Sequence, residues 1–494
     1  MKKRILLLAM ILLLQALPSY AQINNAGFEG GIHKDEQDYK KEKQYKEVIF
    51  VTGNPVVMYG KVKISIKDKK LTYDYVNMKS KDGSVTMKKH IEIDRIIESA
   101  EDIKQVVEEN NIIKYKEEIS DSIGNTYTLE DYQFHNSTID DNQPIVNYYS
   151  GNWLGTKVYK VNDGEKKLSI DITGNIYGYD HFWGATETQK IKQYITQTDV
   201  IDDEIDWTGS SEINISFNRT KNMEYFDNLP YQTSFSGGYT LTEKKETVMV
   251  YDYDMPYFDK DGEIADVRNR GTATERFDTL PTQKKLYIPK FEDIKGIWSE
   301  WDIKRLAGLG VFDSSKKFFG PKLPTERAEF ARWLSKAMQL VDKEDKPKRS
   351  FTKEEVNPPV FADVTNKNLD YEYIKAIKER GIMTGVGNGT FMPKGKLTRA
   401  QAVTIVIRSI GLERLAPNPP FTTPFKDDKD IPLWAKKSIY VANQINLARG
   451  NAGYIHPNDY MTREEAAAFI NRFINYLQTE LKKEYRDNII NYGL

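Results

Sequence analysis

Over its last 200 or so residues this chain states the same pattern three times, and no other feature limits its fold as strongly. Phe291-Glu292-Asp293, Phe361-Ala362-Asp363 and Phe425-Lys426-Asp427 open three units. Each runs into an amphipathic stretch: Trp298 to Leu309, Leu369 to Arg380, and Trp434 to Ile445. Twelve residues after the leading Trp or Leu stand Gly310, Gly381 and Asn446, types that accept the left-handed conformation closing a helix. A loop then leads to Pro321, Pro393 and Pro457, each six residues before an arginine, Arg327, Arg399 or Arg463. The arginine opens a second helix rich in Ala and apolar residues. Thr398 with Gln401 and Thr462 with Glu465 form capping boxes that satisfy its first turn. The first unit differs, with Glu326 at the cap position and Thr325 one residue earlier. The charged or proline-rich stretches 342–359 and 412–424 read as exposed connections.

These residues resemble the S-layer homology repeat. The second unit states it as Gly381-Ile382-Met383-Thr384-Gly385, Phe391-Met392-Pro393 and Thr398-Arg399-Ala400-Gln401. The third has Trp434-Ala435 and Thr462-Arg463-Glu464-Glu465; the first has Trp298 and Arg327-Ala328-Glu329. The units span 291–341, 361–413 and 425–477, with 478–494 as a C-terminal tail. The resemblance implies a pseudo-threefold, all-helical prism whose grooves bind a secondary cell-wall polysaccharide, often with pyruvylated sugars. It places Arg327, Arg399 and Arg463, Asp293, Asp363 and Asp427, and Trp298 and Trp434 at those grooves. Gly385 and Gly450 become loop positions where backbone approaches sugar. Leu369 replaces the tryptophan in the second unit and Ser314 the glycine in the first, so the grooves need not bind equally.

Elementary chemistry suits that assignment. A pyruvyl ketal presents a carboxylate, and a guanidinium in a helix's first turn offers it a bidentate donor pair beside a partly positive helix end. Tryptophan offers a flat apolar face for a sugar ring, and several weak grooves on one polymer gain by avidity. Each residue also has a plainer reading. An arginine after a cap is usually solvated, the tryptophans serve equally well as core anchors, and the glycines are turn formers first. The aspartates read more readily as caps of the following helix than as ligand contacts.

The rest of the chain is of another kind. Lys2, Lys3 and Arg4, the apolar run Ile5 to Leu14 and Ser19-Tyr20-Ala21 have the anatomy of a secretory signal peptide over residues 1–21. No later segment is apolar enough to cross a membrane. Residues 22–290 read as a mainly-β domain, a sandwich, barrel or stacked hairpins, with strands at Lys46 to Val51 and Lys61 to Lys67. Asp82-Gly83, Asp163-Gly164, Gly174-Asn175 and Asp261-Gly262 are hairpin-turn signals. Ile93 to Glu109, with apolar residues at helical spacing, predicts one helical interruption. The run Val48 to Val57 faintly resembles the stacked-strand repeats of envelope lipid-transport proteins.

Function classes narrow as well. A formal net charge of −1 gives no basic stripe for nucleic acid, and with no cysteine there is no disulfide framework or thiolate zinc site. The thirty tyrosines suit sheets and sugar-facing surfaces about equally. Asp259-Lys260-Asp261-Gly262-Glu263 looks like the start of a calcium loop but lacks its later ligands, so a hairpin turn is expected. Asp202, Asp203, Glu204 and Asp206 beside Trp207 form an acidic run that reads as a solvated loop rather than a glycosidase pair. His33, His90, His135, His181 and His456 show no metal-ligand spacing, and no cofactor signature is present. The expectation is a non-catalytic surface protein displaying a β-rich module from the wall. The alternative is a wall-anchored enzyme acting on polysaccharide with its site in residues 22–290.

Overall fold

The computed structural model describes residues 29–34, 42–100, 104–227, 237–259, 262–341 and 358–485; the signal peptide lies outside them. The described part of the N-terminal half is one antiparallel sheet. Its strands are β1 (Ile32–Lys34), β2 (Glu42–Ile49), β3 (Val56–Lys67), β4 (Lys70–Ser80), β5 (Val85–Ala100), β6 (Gln105–Asp121) and β7 (Thr126–Asn142). They continue as β8 (Asn147–Val161), β9 (Lys166–His181), β10 (Gly184–Asp199), β11 (Ile205–Phe226), β12 (Gly238–Phe258), β13 (Ile264–Asp278) and β14 (Thr282–Leu286). β1 to β13 pair strictly in chain order, and β14 returns to the early part of β12. The sheet curls until its ends meet, making it nearly a barrel. Lys46 on β2 reaches Glu275 on β13 at 2.6 Å, and Phe50 meets the Tyr251 ring edge-on at 6.3 Å.

Alternation builds this half: Leu71, Tyr73 and Tyr75 on β4 point inward, as do Leu168, Ile170 and Ile172 on β9. Charges are sealed inside as well. Lys157 holds Glu29 at 2.9 Å and Glu117 at 3.0 Å, Lys89 holds Glu47 at 2.8 Å, and Tyr159 donates to Glu117. Burial alone would raise the Glu117 carboxyl, but Lys157 and Lys89 outweigh it and bring it down to about 2.

Two sequence expectations are corrected here. The described residues of this stretch are not helical: 93–100 belong to β5 and 105–109 to β6. Val85, Met87, Lys89, Ile91, Ile93 and Arg95 all face inward. Arg95 pairs bidentately with buried Glu108 (3.0 and 2.6 Å), so charged residues on the inner face disguise a period of two. Gly174-Asn175 is not a turn but mid-strand in β9. Gly174 sits opposite Trp153, where a Cβ would come within 2.2 Å of the indole, so the glycine admits the ring. The other signals do mark hairpins: Gly83 donates to Ser80, Gly164 to Val161, and Gly262 to Asp259, whose side chain also accepts from Glu263.

The C-terminal region is helical: α1 (Glu300–Gly308), α2 (Arg327–Ala337), α3 (Tyr371–Glu379), α4 (Arg399–Ser409), α5 (Leu433–Gln444) and α6 (Arg463–Asn475). Gly310, Gly381 and Asn446 close the first helix of each unit at φ +76°, +68° and +58°. Both threonine capping boxes form, and Glu326 with Glu329 makes the corresponding closure in the first unit. The second helix of each unit packs on the first helix of the next, in a closed cycle: α2 on α3, α4 on α5, α6 on α1. At the axis three backbone bonds form a ring, Thr325 N to Met461 O (2.8 Å), Met461 N to Leu397 O (2.9 Å) and Leu397 N to Thr325 O (3.0 Å). No unit can satisfy these groups alone, so the three fold as one body.

The two halves share a core. Trp183, at the β9–β10 turn, is buried among the helices and donates to Ala337 O at 3.1 Å. Tyr148 donates to Ile410 O, and Arg414 pairs with Asp141 at 2.8 Å. Past α6 the chain continues through 476–480 into α7 (Leu481–Glu484), and Tyr485 stacks on Tyr148 with ring centres 5.9 Å apart.

Candidate functional site

The second helix of each unit places its first residue, the arginine, against the loop of the following unit. Arg327 Nε donates to Phe391 O and Nη2 to Thr384 O, both at 2.9 Å, with the guanidinium over the Phe391 ring. Arg399 Nε donates to Ile455 O at 2.8 Å. Arg463 closes the cycle, its guanidinium over the rings of Phe319 and Trp333. These are not solvated helix residues; Arg327 is only 7% exposed. Burial draws its guanidinium down from its ordinary value while nearby Asp363 opposes the shift.

The three aspartates cap no helix. Each grips the aromatic- or aliphatic-x-Pro loop of its own unit with both oxygens. Asp293 accepts from Phe319 N and Gly320 N (2.7 and 2.6 Å), Asp363 from Phe391 N and Met392 N (2.8 Å each), and Asp427 from Ile455 N and His456 N (3.0 and 2.7 Å). The middle residue is left-handed in every case, Gly320, Met392 and His456 at φ +70°, +57° and +51°. The paired bonds hold Met392 and His456 in a conformation that costs non-glycine residues about 1 kcal/mol. Gly385 and Gly450 do related work: a Cβ on them would lie 2.5 and 2.6 Å from Thr390 O and Tyr454 O, so each lets its loop fold back on itself.

Trp298 and Trp434 are 61% and 47% exposed and anchor no core; Leu369, at the same position, is 95% exposed. Trp298 lines a groove of about 430 Å³ between the second and third units. There it meets Arg399, Arg449, Arg472, Gly450, His456 and Tyr460. Within it Arg399 Nη1 pairs with Glu465 at 2.8 Å, and Arg472 donates to Leu447 O at 2.7 Å. Arg449, exposed on the loop, has no ion-pair or hydrogen-bond partner among the described residues. Burial chiefly, then the charge of Arg449, and to a smaller degree Arg399, draw Arg472 down, against Asp302. Three guanidiniums stand against two carboxylates, Glu465 bonded to Arg399 and Asp459 3.8 Å from the His456 ring. Between the exposed rings of Trp298 and Tyr460 this excess of positive charge suits an acidic sugar by charge and shape.

The other two grooves differ in the same positions. Where Arg399 faces Glu465, Arg463 faces Glu329 (3.5 Å), and the corresponding residue for Arg327 is the neutral Gln401. The Arg449 position is Thr384 in the second unit and Asp313 in the first. Of the residues expected from sequence, Trp298, Arg399 and Gly450 come together in this groove. Arg449, Tyr460 and Arg472 were missed. A signal existed for Arg472, because a basic residue follows each arginine by nine positions, as Lys336, Arg408 and Arg472.

The acidic run at residues 202–206 spans the β10–β11 turn and the start of β11: Asp202 accepts from Glu204 N at 3.1 Å, and Asp206, on β11, pairs with Lys166 at 2.9 Å. Among the described residues no cluster of His, Asp and Glu could hold a metal ion, and no helix is long and apolar enough to cross a membrane.

Comparison with known proteins agrees with the repeat geometry. Residues 290–331, 360–403 and 424–467 match the S-layer homology domain, so the chain carries three such repeats. It is 35% identical over 134 residues to an endoglucanase of Bacillus sp. (strain KSM-635), covering 26% of this chain and 14% of that one. It is 28% identical over 184 residues to S-layer protein EA1 of Bacillus anthracis (36% and 19%). Against S-layer protein sap of the same organism it is 27% identical over 188 residues (38% and 21%). The chain thus matches less than a quarter of the length of each of these relatives. The repeats and the S-layer relatives mark a secreted bacterial protein of the cell surface or wall.

Proposed function

We propose that this chain, with its three S-layer homology repeats, is held non-covalently to the wall by an acidic secondary cell-wall polysaccharide and displays its β-module from there. The polymer's carboxylate-bearing sugar, of the pyruvylated kind, sits in the groove of Arg399, Arg449 and Arg472 with its ring on Trp298. The observation that carries this reading is Arg449. Among the described residues it is an unpaired cation, on a braced loop, facing two further arginines and an exposed indole. A charge-assisted bond from Arg449 to a carboxylate forms without first breaking a protein ion pair. Arg399 and Arg472 then supply fixed positive potential, and Trp298 excludes water from one face of the ring.

The division of labour between the halves follows. The repeats hold, and the module is rigidly seated on them through Trp183, Tyr148 and Tyr485, so it is carried in a set orientation. Binding of the full chain to purified sacculi, before and after mild acid removes the secondary polymer, tests the reading. Retention should drop at least tenfold on the stripped wall; equal retention means that peptidoglycan or another component is the anchor.

The alternative is a catalytic module in residues 22–290; the endoglucanase shares only the repeats with this chain. Release of reducing ends from wall or plant polysaccharides by the full chain supports that alternative, and none from any of them supports display.

A further inference from the structure

We propose that the β-module has an anion site of its own, at a bulge on the outer face of β4–β6, that takes a multiply charged phosphate group. The inference stands independently of the groove in the repeats.

The bulge is a built feature. In the β4–β5 ladder Asp74 pairs with His90 and Met78 with Met87, so Tyr75, Val76 and Asn77 face only Lys88 and Lys89. Asn77 turns left-handed, at φ +54°, to take up the extra residue. On the other side the β3–β4 ladder breaks between Tyr59 and Lys61, and Gly60 fills the gap. A Cβ on Gly60 would lie 2.5 Å from Met78 Sδ and 2.7 Å from Val76 O, so only glycine lets the strand close against the bulge.

The bulge opens a depression of about 690 Å³ lined by Lys79, Lys88, His90, Lys116 and Asn77, with Lys89 and Tyr75 at its base. Among the described residues four lysines and a histidine line it, and no carboxylate does. Lys116 lies directly across the β5–β6 ladder from His90, which brings their side chains within about 5 Å at the Cβ atoms. Lys79 and Lys116 are exposed and have no ion-pair or hydrogen-bond partner among the described residues. Lys88 lies 3.5 Å from Glu118, a solvent-exposed pair that gives way readily. The nearby acids Asp74 and Glu92 are engaged with the two ring nitrogens of His90, at 2.5 and 3.1 Å. Lys89, beneath, adds no free charge: its side chain is only 3% exposed and is held on the inner side by Glu47 at 2.8 Å, with Glu29 and Glu117 at 3.7 and 3.9 Å.

The donor type selects the ligand. Ammonium groups are point charges on flexible stems, and none offers the planar fork that matches a single carboxylate. Three movable ammoniums around a concave floor suit a compact group with several oxygens and more than one negative charge. Both a free phosphate or diphosphate and the phosphodiester of a wall polymer present such a group.

Calorimetric titration of the full chain with inorganic pyrophosphate at low salt tests the site, with a glycerol phosphate polymer as a second arm. The Lys79→Gln/Lys116→Gln double variant should bind pyrophosphate about tenfold more weakly than wild type. Lys63→Gln, on the same face outside the depression, should bind as wild type does. Both side chains changed in the double variant are exposed, so its thermal unfolding should match wild type. Tighter binding of the polymer at equal phosphate assigns a polymeric source, and equal or weaker binding assigns a free one. The site is overturned if neither probe binds, or if the double variant binds as wild type does.

Discussion

Arg399 Nη1 lies 2.8 Å from Glu465 Oε1, and the two residues belong to different repeats. Glu465 is the third residue of the helix that Thr462 caps, and its other oxygen accepts the Thr462 backbone N–H at 2.8 Å. One carboxylate therefore closes a helix start and fixes the guanidinium of the preceding unit. The groove is thus an inter-repeat structure, and the arginine at its centre braces the fold. Alanine at such an arginine mixes two effects, and the informative substitutions lie elsewhere.

Arg449→Ala should separate them. The side chain is exposed and has no partner among the described residues, so denaturant unfolding should shift by less than about 0.5 kcal/mol, while wall binding weakens about tenfold. Arg327→Ala should do the reverse. It leaves the carbonyl of buried Phe391 without its Arg327 donor and removes the bond to Thr384 O on the exposed loop, at about 1–3 kcal/mol of stability. If Arg449→Ala also unfolds the chain, the loop arginine is structural and the proposed role fails.

Trp298→Ala should weaken binding to wall polymer about tenfold, because the indole face is lost while little packing is. Leu369→Ala, at the equivalent position of the second repeat and 95% exposed, should change neither binding nor stability. Tryptophan fluorescence during titration with released polymer supplies the companion readout. A Trp298 variant that binds as wild type does moves the sugar site away from this groove.

Much of this region was legible in the sequence because helix signals are local. Gly310, Gly381 and Asn446 close helices where their spacing said, and the Thr398 and Thr462 boxes form. What a side chain does across repeats is not local. The aspartates looked like caps because they precede helices, but their partners are loop amides some 26 to 29 residues onward. Arg449 belongs to no repeated pattern and only gains meaning once three repeats bring Trp298 beside it. In the β-module the misleading residues were Arg95 and Glu108. Two mutually paired charges facing inward are indistinguishable, in a single sequence, from the polar face of a helix.

Trp183→Ala tests the seating of the module. The indole is 1% exposed and bonded to Ala337 O, so its removal should cost about 3–5 kcal/mol. Calorimetry should then show two transitions in place of one. A single transition at an unchanged temperature means that the halves are held together by other contacts.

Asp140 gives the module a pH dependence of known sign. Burial chiefly, with Glu108 adding to it, pushes this carboxyl up to about 7 from its ordinary 3.8, against Asn147 and Arg95. Between those values the folded state holds a proton that the unfolded chain releases, so this group removes stability as pH rises from about 4 to about 7. Asp140→Asn should therefore gain on wild type across that range, measured as denaturant midpoints at about pH 4.5 and 7.5. A constant difference between the two proteins contradicts the assignment.

The central claim is that a carboxylate on the wall polymer is what the Arg449 groove reads. It is tested most directly by calorimetric titration of the full chain with polymer released from sacculi, before and after chemical reduction of its carboxyl groups. The native polymer should bind with an affinity that falls as salt rises, and the reduced polymer should bind at least tenfold more weakly. Equal affinity for the two would contradict the account, because the three arginines would then have no charge to recognise.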